Sequence, residues 1–239
     1  SNTAEATVST IAAAGIVGSG TVHAGSVTVR SDSSANDAAQ HSGATADIDG
    51  KAVSVEGVNV GINKAMALMN ITQSAYVKSC TLILSGSLSV KSLLNNSAVK
   101  SETGANGGAK VGLIGASGTS TTAKSQGSSQ ASVEDAAVSA AAGSVTVLAE
   151  MKNTSVTSNS KANSVSVSGA AIDIVSVYAE IAKDAAKAFV SGSKANLTAQ
   201  SVSVAADSTG AKVTAYAESP DTSVHAFGGS TVTADAKVT

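Results

Sequence analysis

Three histidines, one cysteine and a scatter of carboxylates are the residues of this chain that could do chemistry. The histidines are His23, His41 and His225. No two stand at a metal-binding spacing such as HxxxH, so surface or turn positions are expected and no metal site is assigned. Asp47-Ile48-Asp49-Gly50 resembles the opening of a calcium loop, but it lacks the third acidic position and the closing Glu. Asp-Gly is also a common turn pair, and a turn is the expectation here. The glycine-aspartate nonapeptides of calcium β-rolls are absent. Cys80 is the single cysteine, so no intrachain disulfide can form. It sits in the strand-like run Tyr76-Val77-Lys78-Ser79-Cys80-Thr81-Leu82, where a small buried or half-buried residue is expected and not a reactive thiol.

The acids are Glu56, Glu134-Asp135, Asp173, Glu180, Asp184 and Asp221, besides the Asp47 pair. A lyase or glycosidase would need two or more carboxylates converging on one groove, with basic or aromatic residues to hold the sugar. With 2 Phe, 3 Tyr and no Trp, the chain has little to build a sugar-stacking wall from. Gly104-Ala105-Asn106-Gly107-Gly108 lacks the lysine and the context of a phosphate loop and reads as a corner. The Asn-x-Ser/Thr triplets at Asn70, Asn95, Asn153 and Asn196 are expected by chance in so Ser- and Thr-rich a chain. No catalytic, cofactor-binding or metal-binding residue is therefore assigned, and no cofactor is expected.

The elements that would have to position such groups are built from small residues. The 239 residues include 45 Ala, 40 Ser and 22 Gly but a single Pro. The net charge is −2 and 13% of residues are charged, against 43% hydrophobic. That balance excludes charged disorder. It leaves no electrostatic footprint for nucleic acid and no basic membrane-binding stripe. The apolar runs fall short of the ~20 residues needed to span a bilayer. Large side chains bury most area per ordered residue, and this chain has few. It must bury area through thin layers of Ala, Val and Ile, which favours a stacked sheet architecture over a compact enzyme domain.

Internal repeats carry the organisation. Gly25-Ser26-Val27-Thr28-Val29 returns as Gly86-Ser87-Leu88-Ser89-Val90, as Gly143-Ser144-Val145-Thr146-Val147, and as Gln200-Ser201-Val202-Ser203-Val204. The serines at positions 26, 87, 144 and 201 give intervals of 61, 57 and 57. Tyr76-Val77, Ser132-Val133 and Phe189-Val190 keep the same phase, with intervals of 56 and 57. Each unit also has a Ser/Asn-rich piece (Asn95 to Ser101, Asn153 to Ser160) and a more apolar run (Val53 to Ile62, Val111 to Ile114, Val165 to Ile181). Ala236-Lys237-Val238-Thr239 follows Val202 well before a full unit has elapsed, which suggests a shortened last unit. One repeat earlier, Asp173 and Glu180 face Ala116 and Ala123. The repeat thus predicts no acidic cluster. It puts Tyr76, Phe189 and Phe227 at related positions, where an interior stack or an end-of-coil plug is expected.

Alternation of Val with Ser or Thr at period 2 predicts strands. One face should be Val/Ala/Leu and the other Ser/Thr/Asn. Ala171 to Val190 and Ile62 to Met69 also carry helical spacing. The equivalent Gly112 to Gln130 is a poor helix former, so strand is preferred, with a short flanking helix as the exception. A unit of this length, nearly all strand and turn, needs stacked neighbours to bury its apolar face. It could be one large coil or two to three smaller ones; the short last unit favours subdivision.

These features resemble the repeats of giant bacterial filamentous adhesins, of the leukotoxin or autotransporter-passenger kind. The resemblance rests on Thr21 to Val29, Tyr76 to Val90, Ala140 to Val147 and Phe189 to Val204. It implies a β-solenoid stalk, export to the bacterial cell surface, and adhesion or scaffolding; it carries over no catalytic or binding residue.

The expected fold is all-β, a parallel β-solenoid running as one continuous segment over 1–239. Its units are 25–85, 86–142, 143–199 and a partial 200–239, with 1–24 the tail of a preceding repeat. The chain has no initiator Met, signal peptide or anchor; it reads as an internal fragment, with Ser1-Asn2 a cloning remnant. The expected role is a non-catalytic stalk or adhesive segment of an extracellular bacterial surface protein. Its partner would be a host or matrix surface component, or other copies met through open β edges. Nucleic acid and membrane insertion are not expected. The alternatives are a carbohydrate-active β-helix enzyme and a self-assembling partner-binding module.

Overall fold

The computed structural model describes residues 1–34, 42–49, 54–55, 57–105, 109–162, 165–182, 185–218 and 222–239. Within them the chain forms three parallel sheets and no helix. It visits the sheets in a fixed order. The first pass lays down β1 (Asn2–Val17) in the largest sheet, then β2 (Thr21–Ala24) and β3 (Val27–Asp32) in the second, then β4 (Ser42–Asp49) in the third. The second pass repeats this with β5 (Ser54–Val55) and β6 (Val58–Lys78), then β7 (Thr81–Leu84) and β8 (Leu88–Leu93), then β9 (Ser97–Ala105). The third is β10 (Ala109–Ser125) and β11 (Ser128–Glu134), β12 (Ala137–Glu150), and β13 (Ser155–Ala162). The fourth is β14 (Val165–Ile181) and β15 (Ala185–Ser191), β16 (Asn196–Asp207), and β17 (Lys212–Glu218), after which β18 (Thr222–Val238) re-enters the largest sheet.

Every pairing joins strands of successive passes. The offset between partners runs from 55, as in Ser42 with Ser97, to 61, as in Asn2 with Asn63. The repeated motifs therefore lie directly beside one another. Ser144 pairs with Ser201, Val145 with Leu88, and Ser132 with both Tyr76 and Phe189. Among the described residues no strand pairs with a segment of its own pass, which is what two or three smaller coils would require. Ala236 to Val238 stand opposite Ala179 to Ile181, one pass earlier. They are the largest sheet's next strand and do not mark a shortened unit.

The helical alternative is overturned at Ala171 to Ile181 and at Ile62 to Met69. In β14, Ala171, Asp173, Val175, Val177 and Ala179 are buried while Ile172, Ile174 and Ser176 are exposed, which is period 2. Strand ladders to β10 on one side and β18 on the other outweigh helix propensity, which is a weak preference.

Two buried clusters fill the space between the sheets. One is centred on Val77, Leu82, Leu88, Val133, Val138 and Val147. The other is centred on Ala67, Met69, Leu94, Val99, Val156 and Ala179. The interior is less uniformly apolar than expected. Ser92, Ser101, Thr121, Ser129 and Ser158 are buried in it. They link different sheets: Ser129 Oγ donates to the Ser92 carbonyl at 2.8 Å, Ser158 Oγ to Thr121 Oγ1 at 2.9 Å, and Ser101 Oγ to the Ala65 carbonyl at 2.8 Å. A hydroxyl is small enough to sit in such a layer and is tolerated there once bonded.

Two vertical columns turn the chain. Ser79, Asp135 and Gly192 have φ of 55°, 47° and 102°, and Asn96, Asn153 and Gly210 have 56°, 59° and 73°. These are left-handed positions, open to Gly and tolerated by Asn and Asp. Each column continues the ladder through the corner, as in Ser79 N–H to the Glu134 carbonyl at 3.0 Å and Asn153 N–H to the Thr209 carbonyl at 2.9 Å.

Candidate functional site

The stacking of passes decides which candidate groups meet. His23 is an exposed residue of β2, opposite Ile83. His225 lies in β18 opposite Ser168, on a different sheet, so the two are not brought together. His41, Glu56, Asp184 and Asp221 lie outside the described residues, as do Gly50 and 106–108. Asp47 and Asp49 belong to β4, so the expected turn there is replaced by strand. Among the described residues no group of three His, Cys, Asp or Glu could hold a metal ion. Cys80 is buried, and burial pushes its thiol up, away from the thiolate form.

The carboxylates are brought together in two places, contrary to the sequence expectation. Asp47 pairs with Glu102 and Glu150 with Asp207, in adjacent strands. In each place a lysine two positions away on the same face answers the charge. Lys100 contacts Glu102. Lys152 Nζ lies 2.7 Å from Glu150 and 3.1 Å from Asp207. The hydrogen bond from Lys152 holds the Glu150 carboxyl below its ordinary range, and Glu150 in turn raises Lys152. The signal was present in the sequence as acids at offsets of 55 and 57, each with a Lys two positions away, but it needs the register to be read.

The other acids meet opposite charge or a hydroxyl. Glu134 stands beside Lys78 at 3.6 Å, while its neighbour Asp135 is a corner residue. Asp173 is buried and accepts a hydrogen bond from Ser117, its register partner. Glu180 lies between Lys124, 2.9 Å away, and Lys237, its partner in β18. The Lys124 hydrogen bond keeps Glu180 below the usual carboxylate range, and a hydrogen bond to Glu180 raises Tyr178. These are fasteners between passes; none of the shifted acids is held protonated for acid catalysis.

Because the folded carboxyl of Glu180 is depressed, its contribution is in full force above the unfolded value. It is lost as pH falls through the folded value. A urea titration taken from neutral pH to about pH 3 should show the midpoint falling on the acid side in the wild type. The acid limb should be flatter in Glu180→Gln; equal slopes would remove Glu180 from the account.

The aromatics do not form an interior stack or an end plug. Tyr76 and Phe189 share one register column with Ser132, but on the outer face, between buried neighbours such as Ala75 and Val77. The Tyr76 ring lies over Gly15, whose missing side chain leaves the room. Lys187 Nζ sits 4.9 Å from the Phe189 ring centre. Phe227 is in another column, opposite Ala170, and is 80% exposed.

Phe227 belongs instead to an apolar field on the outer face of the largest sheet. One row crosses the strands as Val58, Ile114, Ala170 and Phe227. The next is Val60, Ala116, Ile172 and Gly229, and the third Ile62, Gly118, Ile174 and Thr231. Seven of these are large, apolar and 52% to 80% exposed. Sequence reasoning missed the field, because Val-x-Val-x-Ile alternation reads as a core face. Comparison of the chain with protein-family models, with curated proteins and with solved structures finds no match.

Proposed function

We propose that this chain is a non-catalytic structural segment of a large exported bacterial surface protein, in which each repeat unit is a single coil of a parallel β-solenoid. The observation that carries the reading is the uniform pairing of each strand with the strand one pass away. Such pairing adds ~4.8 Å of height per pass and suits a rigid stalk. The outer charges support the same role, since they tie one pass to the next and leave no converging carboxylates free. Adhesion to a host or matrix component would arise from weak contacts repeated along the stalk, raised by effective concentration.

Immunogold labelling of unpermeabilised source cells, with antibodies raised against this chain, tests the proposal. Gold is expected on material projecting from the surface. Gold that appears only after permeabilisation overturns the assignment.

A further inference from the structure

We propose that the apolar outer field of the largest sheet is a contact face between two copies of this chain, packed sheet on sheet about a two-fold axis. The field spans four strands, β6, β10, β14 and β18, in continuous register. Its seven large side chains, each more than half exposed, present roughly 100 Å² apiece on the scale set by buried large side chains. That totals about 700 Å², beyond the ~300–600 Å² of the largest patch on a typical monomer. It approaches the ~800 Å² that each partner contributes to a standard stable interface.

Charge selects the occupant. The three rows hold Val, Ile, Ala, Gly, Phe and Thr and no ionisable group; the nearest described cation is the exposed Lys64 of the following row. A partner chosen by charge has nothing to read. A lipid surface normally recruits a basic flank as well, and one lysine does not make one. A second copy supplies a field equally uncharged and equally flat, and the net charge of −2 sets little repulsion against it. Two such sheets pack ~10 Å apart with strands inclined by about 30°. An isologous contact also buries the same patch on both copies and closes, so it yields a dimer and not a fibre. This differs from pairing through strand edges, which adds backbone ladders and continues without limit.

Sedimentation equilibrium tests it. The wild-type chain should rise from 23.0 kDa towards twice that mass as concentration is raised through the micromolar range. Ile172→Lys with Phe227→Ser should weaken association about tenfold or more, with far-UV circular dichroism and urea midpoint unchanged because both residues are exposed. Phe227→Ser alone serves if the double variant misfolds; it should weaken the dimer in the same direction. A wild type that stays monomeric overturns the proposal. So does a dimer that persists in the variants, which would place the contact at the edges. So does a monomeric wild type that pellets with neutral phosphatidylcholine vesicles, which would make the field a lipid contact.

Discussion

Gly143→Ala should cost about 3 kcal/mol, lowering the melting temperature by roughly 6–12 °C for a chain of this size. Gly25, Gly86 and Gly143 open the repeated Gly-Ser-Val motif, and here the passes approach most closely. Gly86 N–H donates to the Gly25 carbonyl at 2.5 Å. A Cβ on Gly143 would strike the carbonyl of Gly86 and lie 2.8 Å from the amide nitrogen of Ser87. Those are backbone atoms, and they cannot swing aside. They are pinned by the Ser144 N–H, which donates to Ser87 Oγ at 3.0 Å, and by the ladder from Leu88 to Val145. The register of β12 against β16 also shifts between Ala140 and Ser144, so the glycine sits at a bulge, a usual place for close backbone approach. Gly118→Ala is the control. A Cβ there meets nothing within 4 Å, and the change should stay within about 0.5 kcal/mol. Equal melting temperatures for Gly143→Ala and wild type would refute the close approach.

The same motif shows what was legible beforehand. Gly-Ser-Val-Thr-Val is visible because it sits where packing is tightest: the glycine for backbone approach, the valines for the core, the serine to bond the next pass. Its spacing predicted the pairing of Ser144 with Ser201. The corners were hidden. Ser79, Asp135 and Gly192 share a backbone conformation but no side-chain chemistry, so Asp135 read as half of an acidic pair. The charge fasteners were hidden for a related reason. Lys124 and Glu180 stand at an offset of 56, and a search at 57 finds Ala123. A slip of one residue moves a side chain to the other face of a strand, so proximity can be read from repeats only where the register is known to the residue. The exposed field was misjudged because period 2 reports that one face is apolar and does not report whether anything covers it.

Leu82→Ala should cost about 2–5 kcal/mol, the range for a leucine truncated where the surroundings cannot close up. Leu82 is fully buried in β7, between Val22 of the preceding pass and Val138 of the next. Both neighbours are held in place by ladders on the same register, so the cavity stays open. The composition makes this worse. In an interior of Ala, Val and Ser there is no long, flexible side chain nearby to fill the gap, as Met does in irregular cores. The adjacent Ile83 points outward at 42% exposure, and Ile83→Ala should cost well under half as much. Hydrogen exchange separates two ways of losing stability. If neighbouring passes carry the coupling, protection should fall most in β2, β7 and β12 and least in β4 and β9 of the third sheet, because stacked units transmit mainly to nearest neighbours. Uniform loss across all three sheets would mean one cooperative core, in which the passes are not separable units of stability.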